Sequence, residues 1–302
     1  MPLLVTGSIG IDDLKTPHGE ARGVIGGSAV HFALAAKLFT EVRLVGVVGE
    51  DFPPDFQAFL EGQGFDLSGL EVRKGSKTFR WSGVYDKVTS DAQTLAVDLN
   101  VLAEAGPQIP GKFAASDCVF LAATHPGLQQ DFIRQLDKPR LIVADTRDLW
   151  INTQREALLK TLGQVTGAIL NDAEARLFTG KDNLVIAGRQ IIEWGPRFVV
   201  IKKGEHGVML VAPEEVVVLP AYPTTHVVDP TGAGDSFAGG MMGYLSQQES
   251  LDIDSLRNAL ARGTITASFT IEGFSKEVIE GVTPADVKRR LVGYAEMLRV
   301  AP

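Results

Sequence analysis

Residues 229–240, Asp-Pro-Thr-Gly-Ala-Gly-Asp-Ser-Phe-Ala-Gly-Gly, join a glycine-rich turn to a carboxylate and then to an apolar run of small residues. These types at this spacing suit phosphoryl transfer. Gly232 and Gly234 permit a tight turn that leaves the N–H groups of Ala233, Gly234 and Asp235 unpaired where a helix begins. Orphan amides and the positive end of a helix dipole attract phosphate. Asp235, set among those donors, can accept the proton of an attacking hydroxyl. Phosphoryl transfer asks a protein mainly for positioning and charge stabilisation, so a base and an anion cradle cover much of the need. A tight loop closed by an N-capping Asp would use Gly232 to Asp235 equally well without any chemistry.

The rest of the chain has to place that turn. Short β-branched runs at 3–5, 42–48, 118–121, 141–144, 168–170 and 198–201 alternate with helical patterns at 28–38, 128–136, 155–162, 173–178 and 184–193. Three more helical stretches, near 236–245, 256–271 and 284–298, follow the turn. The alternation predicts a doubly wound, mainly parallel α/β sheet with helices on both faces. Without repeats, low-complexity tracts or a long linker, a single domain over residues 1–302 is the economical reading. Ligands of such sheets bind beyond the carboxyl ends of strands, which nominates the segment Thr124-His125-Pro126 and the segment Asp145-Thr146-Arg147. Each also reads as an ordinary turn.

One region breaks the alternation. Residues 78–85 and 94–97 read as strands joined by the polar connection 86–93, with no helix between, which predicts a hairpin outside the main sheet. Trp81 and Tyr85 within it could stack on a base or sugar ring, or simply pack across the hairpin.

The string at 229–240 resembles the second signature of the ribokinase (PfkB) family of carbohydrate and nucleoside kinases, and similar segments run from the first strand to the final third. The resemblance implies a ribokinase-like fold with a small β lid, formed by about residues 11–24 and 76–98, over the substrate. It implies ATP as donor with Mg²⁺, Asp235 as catalytic base, and an anion hole at Gly232, Ala233 and Gly234. Gly7-Ser8-Ile9-Gly10-Ile11-Asp12 is similar to the family's first strand and turn, so Asp12 would bind substrate hydroxyls. Gly26-Gly27 is similar to the first signature, where the glycines let the backbone approach the substrate. His31 stands where the family usually has Asn; an imidazole is larger and titrates near neutrality, which bears on the choice of substrate. By the same resemblance Asn171 and Glu174 organise Mg²⁺ and the nucleotide phosphates, with Glu174 on the metal side, although an Asn followed three residues later by Glu is also a capping box. Lys202, Gly204 and Gly207 match the strand and turn that approach ATP, Lys202 standing where Thr is frequent, and Gly263 lies in the segment flanking adenine. Thr124 belongs to the floor of the site, and Ser268 with residues 272–275 lies where some relatives bind a monovalent cation such as K⁺.

The expected activity is transfer of the ATP γ-phosphoryl group to an alcohol of a small polyhydroxylated substrate, a sugar first and a nucleoside second. A Rossmann-type oxidoreductase is opposed by Gly7-Ser8-Ile9-Gly10, which lacks Gly-x-Gly-x-x-Gly and the acidic residue that should follow it. An inactive nucleotide-binding regulator is opposed by retention of Asp235 and its glycines. The net charge of −8 argues against an electrostatic nucleic-acid binder, although it leaves room for a local basic patch. A lone cysteine, Cys118, in an apolar run rules out an intrachain disulfide or thiolate cluster, and the five histidines lack ligand spacing. With no targeting signal and no long apolar segment, the chain is expected to be cytoplasmic and away from membranes. Exposed lid edges offer a surface through which a homodimer could pair, while the sequence leaves the oligomeric state open.

Overall fold

Leu3 and Val5 enter one hydrophobic core while Leu4, between them, enters another. Period two makes this the signature of a strand covered on both faces. The computed structural model describes residues 2–87 and 92–299. Its larger sheet contains β1 (Leu3–Thr6), β4 (Val42–Gly49), β5 (Asp66–Arg73), β8 (Cys118–Leu121), β9 (Leu141–Asp145), β10 (Gly167–Asn171), β11 (Phe198–Lys202), β12 (Val208–Val211) and β13 (Val216–Leu219). They lie in the order β13-β12-β11-β10-β9-β8-β1-β4-β5. From β5 to β11 every pairing is parallel; β12 and β13 add an antiparallel edge. The chain moves to one side of β1 through β4 and β5, and to the other through β8 to β11. The order therefore reverses at β1, and the loops beyond these strand ends open into the crevice that such a reversal creates.

Helices Ser28–Ala36, Ala233–Leu245 and Ile253–Thr270 supply Phe32, Met241 and Ile265 to one core. Helices Pro126–Ile133, Arg155–Leu162, Asp172–Thr179 and Leu184–Glu193 supply Phe132, Leu158, Phe178 and Ile191 to the other. The small residues behind Asp235 now have a physical cause. A side chain on Gly239 would collide with the Phe32 carbonyl, and one on Gly240 with Thr266, so these glycines let the helix Ala233–Leu245 nest between its two neighbours. That nesting fixes where its N-terminus points.

A second sheet, ordered β3-β2-β6-β7, is built from β2 (Gly10–Thr16), β3 (Gly19–Gly26), β6 (Phe79–Val84) and β7 (Gln93–Asp98). It joins the two segments expected to form a lid, with β2 and β6 parallel and antiparallel partners outside them. Part of the expected connection 86–93, residues 88–91, lies outside the described residues. β5, β12, β13 and the helix Pro54–Gly62 are additions to the elements expected from sequence. The helix expected from about residue 236 begins earlier, at Ala233, and carries Asp235 in its first turn. Among the described residues no helix is long and apolar enough to cross a membrane.

Candidate active site

Gly232 caps the helix Ala233–Leu245 with φ 74°, a left-handed conformation, and a side chain there would run into the His31 ring. Both facts require glycine. The expectation that Ala233 offers a free amide needs correction: its N–H donates to the Pro230 carbonyl at 3.2 Å as the turn closes. The amides of Gly234 and Asp235 have no partner among the described residues, so they are the free donors at this terminus.

Asp12 lies on β2 with its carboxyl over Gly26, where any side chain would collide with it. Gly27, at φ 99°, passes against the Ser8 carbonyl and donates its N–H to Asp12. The other demand of this carboxyl is unmet, because Oδ1 is buried without a partner. Burial, then the Asp229 charge, push the Asp12 pKa up to about 7 against the Gly27 hydrogen bond, with Asp235 and Asp13 adding to the rise. Asp229 itself is fully buried, takes the Thr231 N–H on Oδ1 at 2.9 Å and leaves Oδ2 unpaired. His31 is 3% exposed with both ring nitrogens unpaired, and burial lowers its pKa to about 4, so the ring is neutral near neutrality. Buried polar atoms normally find partners. Asp12, His31 and Asp229, gathered at the Gly26-Gly27 and Gly232 turns, together outline a place for a polar ligand. Asp229 was not singled out from sequence, where its position at the head of the signature was the only signal.

Exchange of His31 for a non-polar ring separates hydrogen bonding from packing. His31→Phe keeps a ring against Gly232 but removes both nitrogens, and it is expected to change relative kcat/KM among accepted substrates by roughly tenfold or more. A uniform effect across substrates would leave His31 as packing alone.

A charged cluster lies on the other side of Asp235. Lys202, which ends β11, pairs with Asp145, which ends β9, at 2.8 Å, and the Asp145 side chain is almost wholly buried. Lys202 is therefore not half of a solvated basic pair. Burial works against its ammonium, but Asp145, Glu174 and Asp235 outweigh that cost and hold its pKa above the usual lysine value. Desolvation and the Asp145 charge push the Asp235 pKa up to about 7, against Lys202 and Arg147. Burial and Asp145 raise Glu174 to about 7 as well. Asn171 and Glu174 form a complete capping box, each side chain taking the other's N–H at 2.7 Å. Among the described residues no group of His, Cys, Asp and Glu is placed to cage a metal. Two crowded carboxyls with raised pKa beside one lysine do suit a cation held mostly by phosphates and water.

Other expected positions lie elsewhere. Gly204, at φ 53°, faces open space, whereas Gly207 is pressed onto the Leu219 backbone. Gly263 meets Phe237 across a helix contact, which accounts for its lack of a side chain without adenine. The Thr124 hydroxyl donates to the Ala122 carbonyl at 3.4 Å and borders a small cavity with Thr6, Gly7 and Gln129; no described contact joins it to Asp12. Ser268 and Glu272 are both bound by Arg290, at 2.9 and 3.1 Å, so a guanidinium already serves the two side chains expected near a monovalent cation. In the small sheet, Trp81 packs over Gly83 and donates to Thr94 at 3.2 Å, while the Tyr85 hydroxyl meets Thr231 Oγ1 at 3.0 Å.

Residues 12–277, from the carboxylate on β2 to beyond the phosphate turn, match the family model for pfkB family carbohydrate kinases. The chain belongs to the pfkB family. It is 30% identical over 260 residues to the cytidine kinase of Thermococcus kodakarensis, covering 83% of this chain and 91% of that one. The Methanocaldococcus jannaschii nucleoside kinase superposes with a TM-score of 0.78 at 19% identity, covering 97% of this chain and 98% of that structure. The Thermotoga maritima ribokinase gives 0.75 at 19% identity, with 96% and 99% covered. This pfkB-family chain is an ATP-dependent kinase with a ribokinase-like fold, acting on the hydroxyl of a sugar or nucleoside.

Proposed function

We propose that this pfkB-family kinase phosphorylates a ribonucleoside at its primary hydroxyl. The observation that carries the reading is the unpaired, buried Asp12 oxygen beside Asp229 and His31. A carboxyl with a spare acceptor can take hydroxyls of a furanose ring, which leaves the primary hydroxyl of a ribosyl group to face Asp235. Similarity to a cytidine kinase over 91% of its length supports a nucleoside over a plain sugar. A sugar remains the second reading because Trp81 packs over Gly83 and bonds Thr94 within its own hairpin, and no described side-chain contact joins it to Asp12 or His31.

In the step itself, Asp235 takes the acceptor proton as the acceptor oxygen bonds to the γ-phosphorus. The bond from that phosphorus to the β–γ bridging oxygen breaks, and its electron pair leaves on ADP. The free amides of Gly234 and Asp235 stabilise charge on the migrating group. Glu174 is the residue that would hold Mg²⁺, through water, and the ion would neutralise charge on the ATP phosphates when bound.

One kinase domain with the small sheet as its lid is the organisation this reading requires. Because Asp12 lies on β2, acceptor binding and closure of the lid are coupled. Saturating acceptor is expected to slow amide exchange in β2 and β6 at least several-fold. Unchanged protection in both strands would remove the lid role. A homodimer through this sheet is also proposed, since β7 is exposed along its length and presents Leu95 and Val97; a monomer mass in sedimentation at assay concentration would rule it out.

The deciding assay offers ATP and Mg²⁺ with nucleosides, pentoses, hexoses and inositols, and follows ADP release and the phosphorylated product. Turnover with a ribonucleoside is expected. Turnover with free sugars alone would replace the nucleoside reading by the second one.

A further inference from the structure

We propose that Lys202 is a catalytic residue of the transfer, its ammonium held by Asp145 against the glycine face of the phosphate turn. The inference rests on phosphoryl transfer at Asp235 but not on the identity of the acceptor.

Three adjacent strand ends build the arrangement. β9 ends in Asp145, β10 in Asn171 with its Glu174 capping box, and β11 in Lys202, so the lysine reaches across β10 to its partner. The Lys202 Nζ also lies 3.0 Å from where a side chain would begin on Gly234. A residue larger than glycine would thus crowd the ammonium at the same point where the free amides are displayed. An ammonium has three donors, and the bond to Asp145 is the only one that Lys202 makes among the described residues. Two donors remain for a ligand.

Charge balance points the same way. Asp145, Glu174 and Asp235 all act on this ammonium, and an incoming phosphoryl group would face all three carboxyls. Backbone amides supply partial charges only. Lys202 supplies a full charge from a half-buried side chain, while Arg147, which also acts on Asp235 and Glu174, is exposed. A buried ion pair contributes little net stability compared with an apolar pair of the same size, so stability alone gives weak cause for one at this position. Asp145 is the positioning residue: it fixes the ammonium and touches no substrate.

The test separates that role from a structural one. Lys202→Met is expected to lower kcat about 10²–10³-fold, the usual loss for one transition-state donor, with little change in acceptor KM. It should also lower Tm, because Asp145 is left as an unpaired buried charge. The double variant Asp145→Asn/Lys202→Met removes both charges and is expected to recover Tm while kcat stays low. Recovery of kcat to within about threefold of wild type in the double variant would make the pair purely structural and overturn the proposal. So would a folded Lys202→Met enzyme with wild-type kcat. The assay uses whichever acceptor the wild-type enzyme phosphorylates, so failure of the nucleoside reading leaves this test intact.

Discussion

Asp235→Asn is expected to reduce the phosphoryl-transfer rate by about 10²–10⁴-fold, the usual cost of losing a positioned base. Nucleotide affinity should stay near wild type, since the amides of Gly234 and Asp235 are main-chain groups and survive the change. Single-turnover kinetics with ATP and acceptor measures this, and transfer at the wild-type rate would take Asp235 out of the mechanism. The pH profile adds an independent check. Asp235 and Asp12 both have pKa values pushed up to about 7 and both work as carboxylates, so kcat/KM should climb through neutrality. Two coupled groups make that acidic limb steeper than a single ionisation would.

Asp12→Asn is expected to do two opposite things. It should cost about 10²-fold or more in acceptor kcat/KM, because a charged acceptor of substrate hydroxyls is lost. It should also stabilise the ligand-free protein at alkaline pH. The pKa of Asp12 is about 7 in the fold against an ordinary 3.8, so between those values the folded chain keeps a proton that the unfolded chain has released. Stability therefore falls as pH rises through that window, and above it the fold holds an unpaired buried charge. Removing that charge is worth on the order of 4 kcal/mol at pH 8 and less than half of that at pH 5. Thermal melts at the two pH values report the difference. An unchanged melt at pH 8 together with unimpaired kcat/KM would contradict the assigned role.

The turn at Gly232 to Asp235 was legible in the sequence because its chemistry is local: a positive φ and a helix start need particular residues within a few positions. The central strands were legible for a similar reason, since burial on both faces leaves continuous apolar runs such as Leu141–Asp145 up to its final carboxylate. β5 escaped because an edge strand tolerates charge and glycine, and Asp-Leu-Ser-Gly-Leu-Glu-Val-Arg has both. β12 and β13 are only four residues each. What the sequence hid best were contacts made across the chain. The His31 ring on Gly232 and the Lys202–Asp145 pair each join segments that no window of residues contains. Gly263 shows a packing role that its own segment does not reveal. A glycine in a family-like segment can be demanded by a packed neighbour, here Phe237, as firmly as by a ligand.

The unpaired atoms of Asp12, His31 and Asp229 belong to the start of the chain and to its final quarter. A bound acceptor that satisfies them acts as a removable cross-link between distant parts of the chain. Its contribution grows with the logarithm of its concentration above the dissociation constant. With the acceptor held there as proposed, the lifetime of the enzyme against unfolding and proteolysis would be tied to the supply of the molecule it consumes, and a shortage of acceptor would shorten the life of the kinase as well as idle it.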